Sequence, residues 1–296
     1  RTGERVVAAR ETANGAVAEF LHADGTRSER ACDILVGADG IHSALRQQFY
    51  PDEGAPRWNG MMMWRGTTLA RPFLDGRTMV QAGHRRAKFV VYPIEPVRPD
   101  GLQRINWICD RRLREDGFGG GLTAPSREDW SKPGSLDDLL PTFGSWRFAW
   151  LDVPGLIRAA EQILEWPMVD RDPLPRWRHG HTTLLGDAAH PMYPIGSNGA
   201  TQAILDAAAL ADALDGHASI TAALNAYEAA RLPMTRDIVA MNRREGLDAI
   251  LDMVEEAAPE GFARIEDVTD PTVLAEWVQA YKKAAGHQVG RPQAAP

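Results

Sequence analysis

Cysteine is scarce in this sequence, and long hydrophobic runs and excess positive charge are absent. Only Cys32 and Cys109 occur among 296 residues, outside any CxxC or cysteine–histidine spacing. This argues against a disulfide framework or a metal site and favours a reducing compartment. No stretch approaches the roughly 18 apolar residues of a membrane span, and no signal-peptide pattern opens the chain. The net charge of −7 makes nucleic acid and anionic lipid poor partners, so a cytoplasmic enzyme is the default expectation.

The chain also lacks an initiating methionine. It starts at Arg1 and enters strand-like sequence at Arg5–Glu11 with no preceding turn. We therefore expect that its natural beginning has been cut off.

Short strands open the sequence. The predicted strands Arg5–Glu11, Ala16–Ala23 and Ala31–Gly37 are joined through Asn14-Gly15 and Asp24-Gly25, both strong hairpin-turn signals. The apolar run at the end of the third strand suits a buried central position.

Aromatic and β-branched residues predict a second sheet, with strands at Met61–Ala70, Thr78–Ala82, Lys88–Tyr92 and Gln103–Cys109. Helices are predicted over Ser43–Gln48, Leu136–Leu140, Val153–Gln162, Asn198–Leu214, Ser219–Ala230 and Arg236–Glu256, with Pro233 interrupting the last two. One apolar, mostly small-residue face is predicted on the helix after Asn198: Ala200, Ala203, Ile204, Ala207, Leu210, Ala211 and Leu214.

In the segment from Thr182 onward, a strand, a Gly-Asp turn at Gly186-Asp187 and a helix follow one another. The amino end of a helix has unpaired N–H groups and a partial positive charge, which stabilise an anion or an electron-rich carbonyl. Gly196 and Gly199 let the backbone approach a flat ligand. Asp187 is placed to accept hydrogen bonds from ribityl or ribose hydroxyls. The alternative is a plain strand–helix turn in which Asp187 is a cap.

Three motifs resemble those of one enzyme family. Residues 184–191 (LLGDAAHP) resemble the GD motif of the group A FAD-dependent aromatic monooxygenases, the p-hydroxybenzoate hydroxylase type. Residues 33–43 (DILVGADGIHS) resemble their DG motif, and residues 227–233 (YEAARLP) their C-terminal signature. Residues 64–66, 167–173 and 196–200 are similar to the branch that includes 5-methylphenazine-1-carboxylate 1-monooxygenase.

The resemblance implies FAD as cofactor and NADH or NADPH as cosubstrate. With O₂, a flavin hydroperoxide would then hydroxylate a small, phenazine-like aromatic substrate. The implied cofactor-binding residues are Asp39, Gly40, Arg46, Gly186, Asp187, Pro191, Gly196, Asn198, Gly199 and Ala200. Trp64 and Tyr193 are candidate substrate residues, or else core aromatics. Arg65 could meet a substrate carboxylate or be a surface residue in a salt bridge.

The implied fold is α/β (α+β). Residues 1–55 and 165–217 would form an incomplete Rossmann-like FAD-binding domain, because the family's N-terminal GxGxxG unit is absent from the sequence. Residues 56–164 would form an inserted β-sheet substrate domain, followed by C-terminal helices at 218–290 and a tail at 291–296. Without GxGxxG, we expect weak FAD binding. The alternative function is an inactive remnant that binds planar aromatic ligands. The oligomeric state stays open, with a homodimer among the options.

Overall fold

The computed structural model describes residues 1–117, 122–125, 129–244 and 246–284, so the predicted tail over 291–296 lies outside the described residues. The strands are β1 (Glu4–Thr12), β2 (Gly15–His22), β3 (Arg27–Cys32), β4 (Leu35–Gly37), β5 (Arg57–Ala70), β6 (Val80–His84), β7 (Ala87–Pro93), β8 (Gln103–Arg112), β9 (Leu122–Thr123), β10 (Arg147–Phe148), β11 (Leu151–Asp152), β12 (Ile163–Asp170) and β13 (Thr182–Leu184). The α-helices are α1 (Ala44–Phe49), α2 (Leu136–Phe143), α3 (Val153–Arg158), α4 (Gly199–Gly216), α5 (Ile220–Asn242), α6 (Ala249–Ala257) and α7 (Pro271–Ala284). The predicted mixture of helices and strands is confirmed. Within the described residues, no helix is both long enough and apolar enough to cross a membrane.

One compact unit contains Arg1–Arg57, Val169–Leu247 and the described residues from Pro271 onward. In it, β1, β2 and β3 form an antiparallel meander, which confirms the two predicted hairpins. The strands β4 and β13 pair in parallel. Its hydrophobic core includes Leu45, Trp177, Leu184, Leu210, Leu224 and Tyr227. The meander and the parallel pair therefore belong to the same unit as the Gly-Asp turn.

A second compact unit contains Trp58–Met168 and Asp248–Asp270. Its sheet has the order β12–β5–β8–β7–β6, and β9 also pairs with β5, which confirms the predicted second sheet. On one face of the sheet, the rings of Phe89 and Trp107 stack and Phe143 of α2 packs against Phe89. The side chains between this face and α2 form the core of the unit.

The helices beyond residue 218 are divided between the two units. Helix α6 groups with the sheet, whereas α5 and α7 group with the unit that holds the Gly-Asp turn. The functional domain boundaries proposed from the sequence stay a prediction.

The segment Ala31–Gly37 is not the single buried strand that its sequence predicts. Strand β3 ends at Cys32, and β4 begins at Leu35 in a different sheet. The chain must turn at residues 33–34 because β3 pairs antiparallel with β2, whereas β4 pairs parallel with β13. Val36 is 37% exposed, so the apolar run that suits a buried central position lies partly open in the described chain.

Two helix boundaries differ from the prediction. Helix α3 ends at Arg158, because the chain enters β12 at Ile163. Helix α5 continues through Pro233 instead of breaking there. A proline inside a helix costs about 3 kcal/mol. Burial of apolar side chains on both sides of it, including Leu224 and Ile238, outweighs this cost.

Helix α4 buries a different face from the predicted apolar one, although the two faces share Leu210. Of the apolar stripe, only Leu210 is buried, and Ile204 is 70% exposed. The buried side chains are instead Gln202, Asp206, Leu210 and Ala213. The reason is a polar network around Asp206, described next.

Candidate functional site

The Gly-Asp turn begins where β13 ends. The amide of Leu185 donates to the carbonyl of Gly37 over 2.9 Å, which extends the pairing with β4 by one bond. Gly186 then has φ +61°, a left-handed conformation that favours glycine. A Cβ atom at Gly186 would lie 3.2 Å from the Cβ of Ala203 in α4. Both the turn conformation and the close approach of α4 therefore call for glycine.

A buried carboxylate fixes this turn to two helices. Asp206 of α4 accepts hydrogen bonds from the amide of Gly186 over 3.0 Å, from Nε2 of His190 over 2.5 Å and from Nε of Arg231 over 2.7 Å. Arg231, on α5, also donates to Oε1 of Gln202 over 2.7 Å. Burial alone would raise the pKa of Asp206, but the hydrogen bonds from His190 and Arg231 lower it below its ordinary value. The network ties the turn, α4 and α5 together.

Asp187, the next residue after Gly186, has no such partner. Its side chain is exposed, and no group in the described part of the chain donates a hydrogen bond to its carboxylate. Crowding by neighbouring protein atoms reduces its hydration and raises its pKa, an effect that the nearby His190 opposes. Because its oxygens have no donor among the described residues, this carboxylate can accept hydrogen bonds from the hydroxyl groups of a ligand.

The segment that leads into α4 is compact and irregular. Pro191 is buried, and Asn198 is fully buried. Gly196 and Ser197 have φ values of +72° and +56°. Among the described residues, no side chain caps the first turn of the 18-residue helix α4, and a Cβ at Gly199 would meet no described atom within 4 Å. The amides at this end, including those of Gly199 and Ala200, are therefore available to a polar ligand atom.

Tyr193, predicted to line a substrate pocket, is only 1% exposed. Its carbonyl accepts a hydrogen bond from Nδ2 of Asn242 over 3.0 Å, and its hydroxyl donates to the carbonyl of Arg57 over 3.4 Å. Burial, with the nearby charge of Asp170, raises its pKa. In this arrangement Tyr193 is a core residue, as the alternative reading of the sequence allowed.

The Asp-Gly segment, Asp39-Gly40, lies just before α1 and organises the start of that helix. Asp39 accepts a hydrogen bond from the amide of Ala44 over 2.8 Å, and Ser43 caps the helix through the amide of Arg46. Gly40 has φ +78°, and a Cβ there would meet nothing within 4 Å. Asp39 is therefore engaged in a helix cap, while Gly40 stays open to a ligand.

Arg46, predicted to approach a pyrophosphate, is 1% exposed and surrounded by protein acceptors. Its guanidinium donates to the carboxylate of Glu53 and to the carbonyls of Ala188, Ala189 and Asp172, the last three over 3.2, 2.8 and 2.7 Å. Direct contact with a phosphate would require these bonds to break. Arg46 instead joins the Asp-Gly segment to the Gly-Asp turn.

In the sheet unit, the two neighbouring candidates of β5 have opposite fates. Trp64 is 3% exposed, and its Nε1 donates to Oε2 of Glu165 over 3.0 Å. A Cβ at Gly134 would lie 2.7 Å from the Trp64 ring, so this ring is packed in the core and not open to a ligand. Arg65 is exposed, and its Nε donates to Oδ1 of Asn106 over 2.7 Å.

Sequence reasoning missed Asp206 and Asn106. A signal for Asp206 existed, because an acidic residue within a largely apolar stretch of a helix needs a partner when it is buried. Asn106 gave no comparable signal, because alternation along β8 does not reveal which side chain on a neighbouring strand it meets.

Comparison with known proteins adds three findings. A family model described as an FAD binding domain matches residues 154–242. Phenazine 1,6-dicarboxylic acid hydroxylase PhzS of Lysobacter antibioticus is 46% identical over 245 residues, which are 82% of this chain and 56% of that protein. The 3-amino-4-hydroxybenzoate 2-monooxygenase PtnB3 of Streptomyces platensis is 37% identical over 81% of this chain and 56% of its own length. This chain thus spans a little over half the length of these two curated relatives.

Solved structures show the same fold. A salicylate hydroxylase in complex with substrate matches with a TM-score of 0.66 and 24% identity, over 99% of this chain and 72% of that one. Klebsiella pneumoniae HpxO complexed with FAD and uric acid matches with a TM-score of 0.63 and 24% identity, over 96% of this chain and 62% of that one. The two sequence relatives show that the chain belongs to the family of FAD-dependent aromatic hydroxylases.

Proposed function

We propose that this chain is an FAD-dependent monooxygenase that uses NAD(P)H and O₂ to hydroxylate a phenazine-like aromatic acid. The observation that carries the proposal is the Gly-Asp turn, where the exposed carboxylate of Asp187 has no hydrogen-bond donor in the described chain. The open amides of Gly199 and Ala200 complete the proposed binding surface.

These residues fit a flavin. Asp187 would accept hydrogen bonds from the ribityl hydroxyls, and Pro191 would lie beside the ring. The amides of Gly199 and Ala200 would stabilise the negative charge that develops on the N1–C2 carbonyl side of the ring upon reduction. Gly40, Gly196 and Asn198 belong to the same proposed surface, whereas Asp39 and Arg46 would act by holding it in shape. When bound, FAD supplies the redox chemistry of oxygen transfer, and the protein orients the reactants and excludes water.

The relatives support an aromatic acid as substrate. The names of PhzS and of PtnB3 both describe a carboxylic acid built on an aromatic ring. Arg65 is an exposed cation on the sheet of the second unit and could meet such a carboxylate. We propose O₂ as the other substrate. We do not expect nucleic acid as a partner, because the net charge of the chain is −7. Two free thiols, Cys32 and Cys109, favour the cytoplasm.

The test uses the purified chain, FAD and the visible spectrum of bound flavin. We expect flavin to bind and Asp187→Ala to weaken that binding about tenfold to a hundredfold, because a charge-assisted hydrogen bond contributes about 1.5–3 kcal/mol. The control, Asp212→Asn, changes an exposed residue of α4 and should bind FAD like the unmodified chain.

Activity is then measured with phenazine-1,6-dicarboxylic acid, NADPH or NADH and oxygen-18 gas. A product that carries one labelled oxygen supports the monooxygenase. Aromatic binding without such a product would favour the alternative, a protein that sequesters planar aromatic ligands. Equal FAD affinity for Asp187→Ala and the unmodified chain would refute the role of Asp187.

A further inference from the structure

The sheet of the second unit has one face that α2 and α3 cover and one that carries Arg65. Register along β5, β8 and β7 places Arg65 opposite Ile108 and Thr67 opposite Asn106, with Val90 and Tyr92 next to them. The covered face carries Trp64 and Trp107 in alternation with these residues. Ile108, Thr67 and Tyr92 are each partly exposed, so the face that carries Arg65 is in part open.

Arg65 and Asn106 form a hydrogen-bonded pair on this face. Nε of Arg65 donates to Oδ1 of Asn106 over 2.7 Å, which determines the orientation of the amide, because Oδ1 must face the guanidinium. Nδ2 of Asn106 then lies at the other end of the amide. It has no acceptor within the described residues, although Asn106 is fully buried.

The terminal nitrogens of Arg65 are also without an acceptor in the described part of the chain. Other arginines of this sheet differ. Arg104, on the same face of β8, lies 3.6 Å from Glu161 and 3.9 Å from Glu95. Arg111 donates to the carbonyl of Asp138 over 2.8 Å. A held guanidinium and a buried amide donor thus lie side by side, both lacking a hydrogen-bond acceptor.

We infer that Arg65 and Asn106 form a binding site for the carboxylate of an aromatic acid. A carboxylate offers two oxygens, which can accept from the terminal nitrogens of Arg65 and from Nδ2 of Asn106. Because the Nε bond to Asn106 holds the guanidinium in one orientation, little side-chain freedom remains to be lost on binding. Ile108, which is partly exposed, provides apolar surface beside this pair for the ring.

This inference rests on the proposed function for the identity of the acid, but not on turnover. A simpler account is that Arg65 is a solvated surface residue that happens to cover Asn106. The two accounts differ in one respect. Only a carboxylate site makes the loss of Arg65 matter for acids and not for neutral ligands of the same shape.

The experiment is calorimetric titration of the full chain without FAD or NAD(P)H. The probes are phenazine-1,6-dicarboxylic acid and its neutral diamide. We expect Arg65→Met to weaken binding of the acid about tenfold or more and to change binding of the diamide less than about twofold. Arg65→Lys should recover part of the loss, since it keeps the charge but not the planar fork. The control is Arg71→Met, an exposed arginine just beyond the end of β5.

Asn106→Ser tests the second donor, and circular dichroism checks that each variant is folded. Because Asn106 is buried, Arg65→Met, on an exposed residue, carries the decision if the serine variant is unfolded. The proposal is overturned if the acid does not bind the unmodified chain, or if Arg65→Met affects acid and diamide equally. Acid binding that depends on Arg65, without an oxygenated product, would refute the proposed function and leave this inference standing.

Discussion

Replacing Asp206 by asparagine should destabilise the unit that holds the Gly-Asp turn more than its small change in shape suggests. All partners of the carboxylate are donors. Its Oδ2 accepts from the amide of Gly186 and from Nε2 of His190, and its Oδ1 accepts from Nε of Arg231. An asparagine must place its own NH₂ group against one of these donors, whichever way it is turned. It also leaves the charge of Arg231 buried and uncompensated. Breaking a buried pair of this kind costs about 3 to 5 kcal/mol.

The assay is urea unfolding followed by circular dichroism, with the slope of the transition required to match that of the unmodified chain. Asp212→Asn, an exposed change on the same helix, should lie within about 0.5 kcal/mol of the unmodified chain. Removing both charges with Asp206→Leu and Arg231→Met should be less destabilising than the sum of the two single changes, by about 1–3 kcal/mol. A loss under about 1 kcal/mol for Asp206→Asn would refute the view that this network holds the turn.

Three further predictions concern neighbouring features. Gly186→Ala should lower the free energy of unfolding by about 1–2 kcal/mol, since φ is +61° and Ala203 lies close, and urea unfolding measures it. His179 stacks on Phe49 at 3.9 Å, and burial lowers its pKa from 6.5 to about 4. The stabilisation from its neutral form is therefore present above pH 6.5 and is lost as pH falls towards 4, so His179→Phe should flatten thermal stability over that range. Ile204→Ser should leave the urea midpoint nearly unchanged, because this side chain is 70% exposed, and a clear drop would contradict the orientation of α4.

Local chemistry made the hairpins and the Gly-Asp turn predictable. Gly186 is recognisable because its left-handed conformation belongs to the turn itself, whereas Gly15 opens β2 and lies against the carbonyl of Cys32 on β3. The role of Arg46 was not predictable, because two of its acceptors are carbonyls 142 and 143 residues further along the chain. Trp64 illustrates a different limit. Alternation along a strand separates the two faces of a sheet, but it does not reveal which face the helices will cover.

The orientation of α4 shows how polar groups can override an apolar pattern. Turning the helix to bury Ile204 would gain about 1.5–3 kcal/mol from the transfer of that side chain. The same rotation would move Asp206 away from Arg231 and leave both charges without partners, at about 3 to 5 kcal/mol. The network therefore prevails, and it fixes the rotation of α4 about its own axis. Because Asp206 also holds the amide of Gly186, that rotation sets the placement of Asp187 relative to the open amino end of α4. A change that releases Asp206 thus disturbs both halves of the proposed flavin surface, although Asp206 belongs to neither.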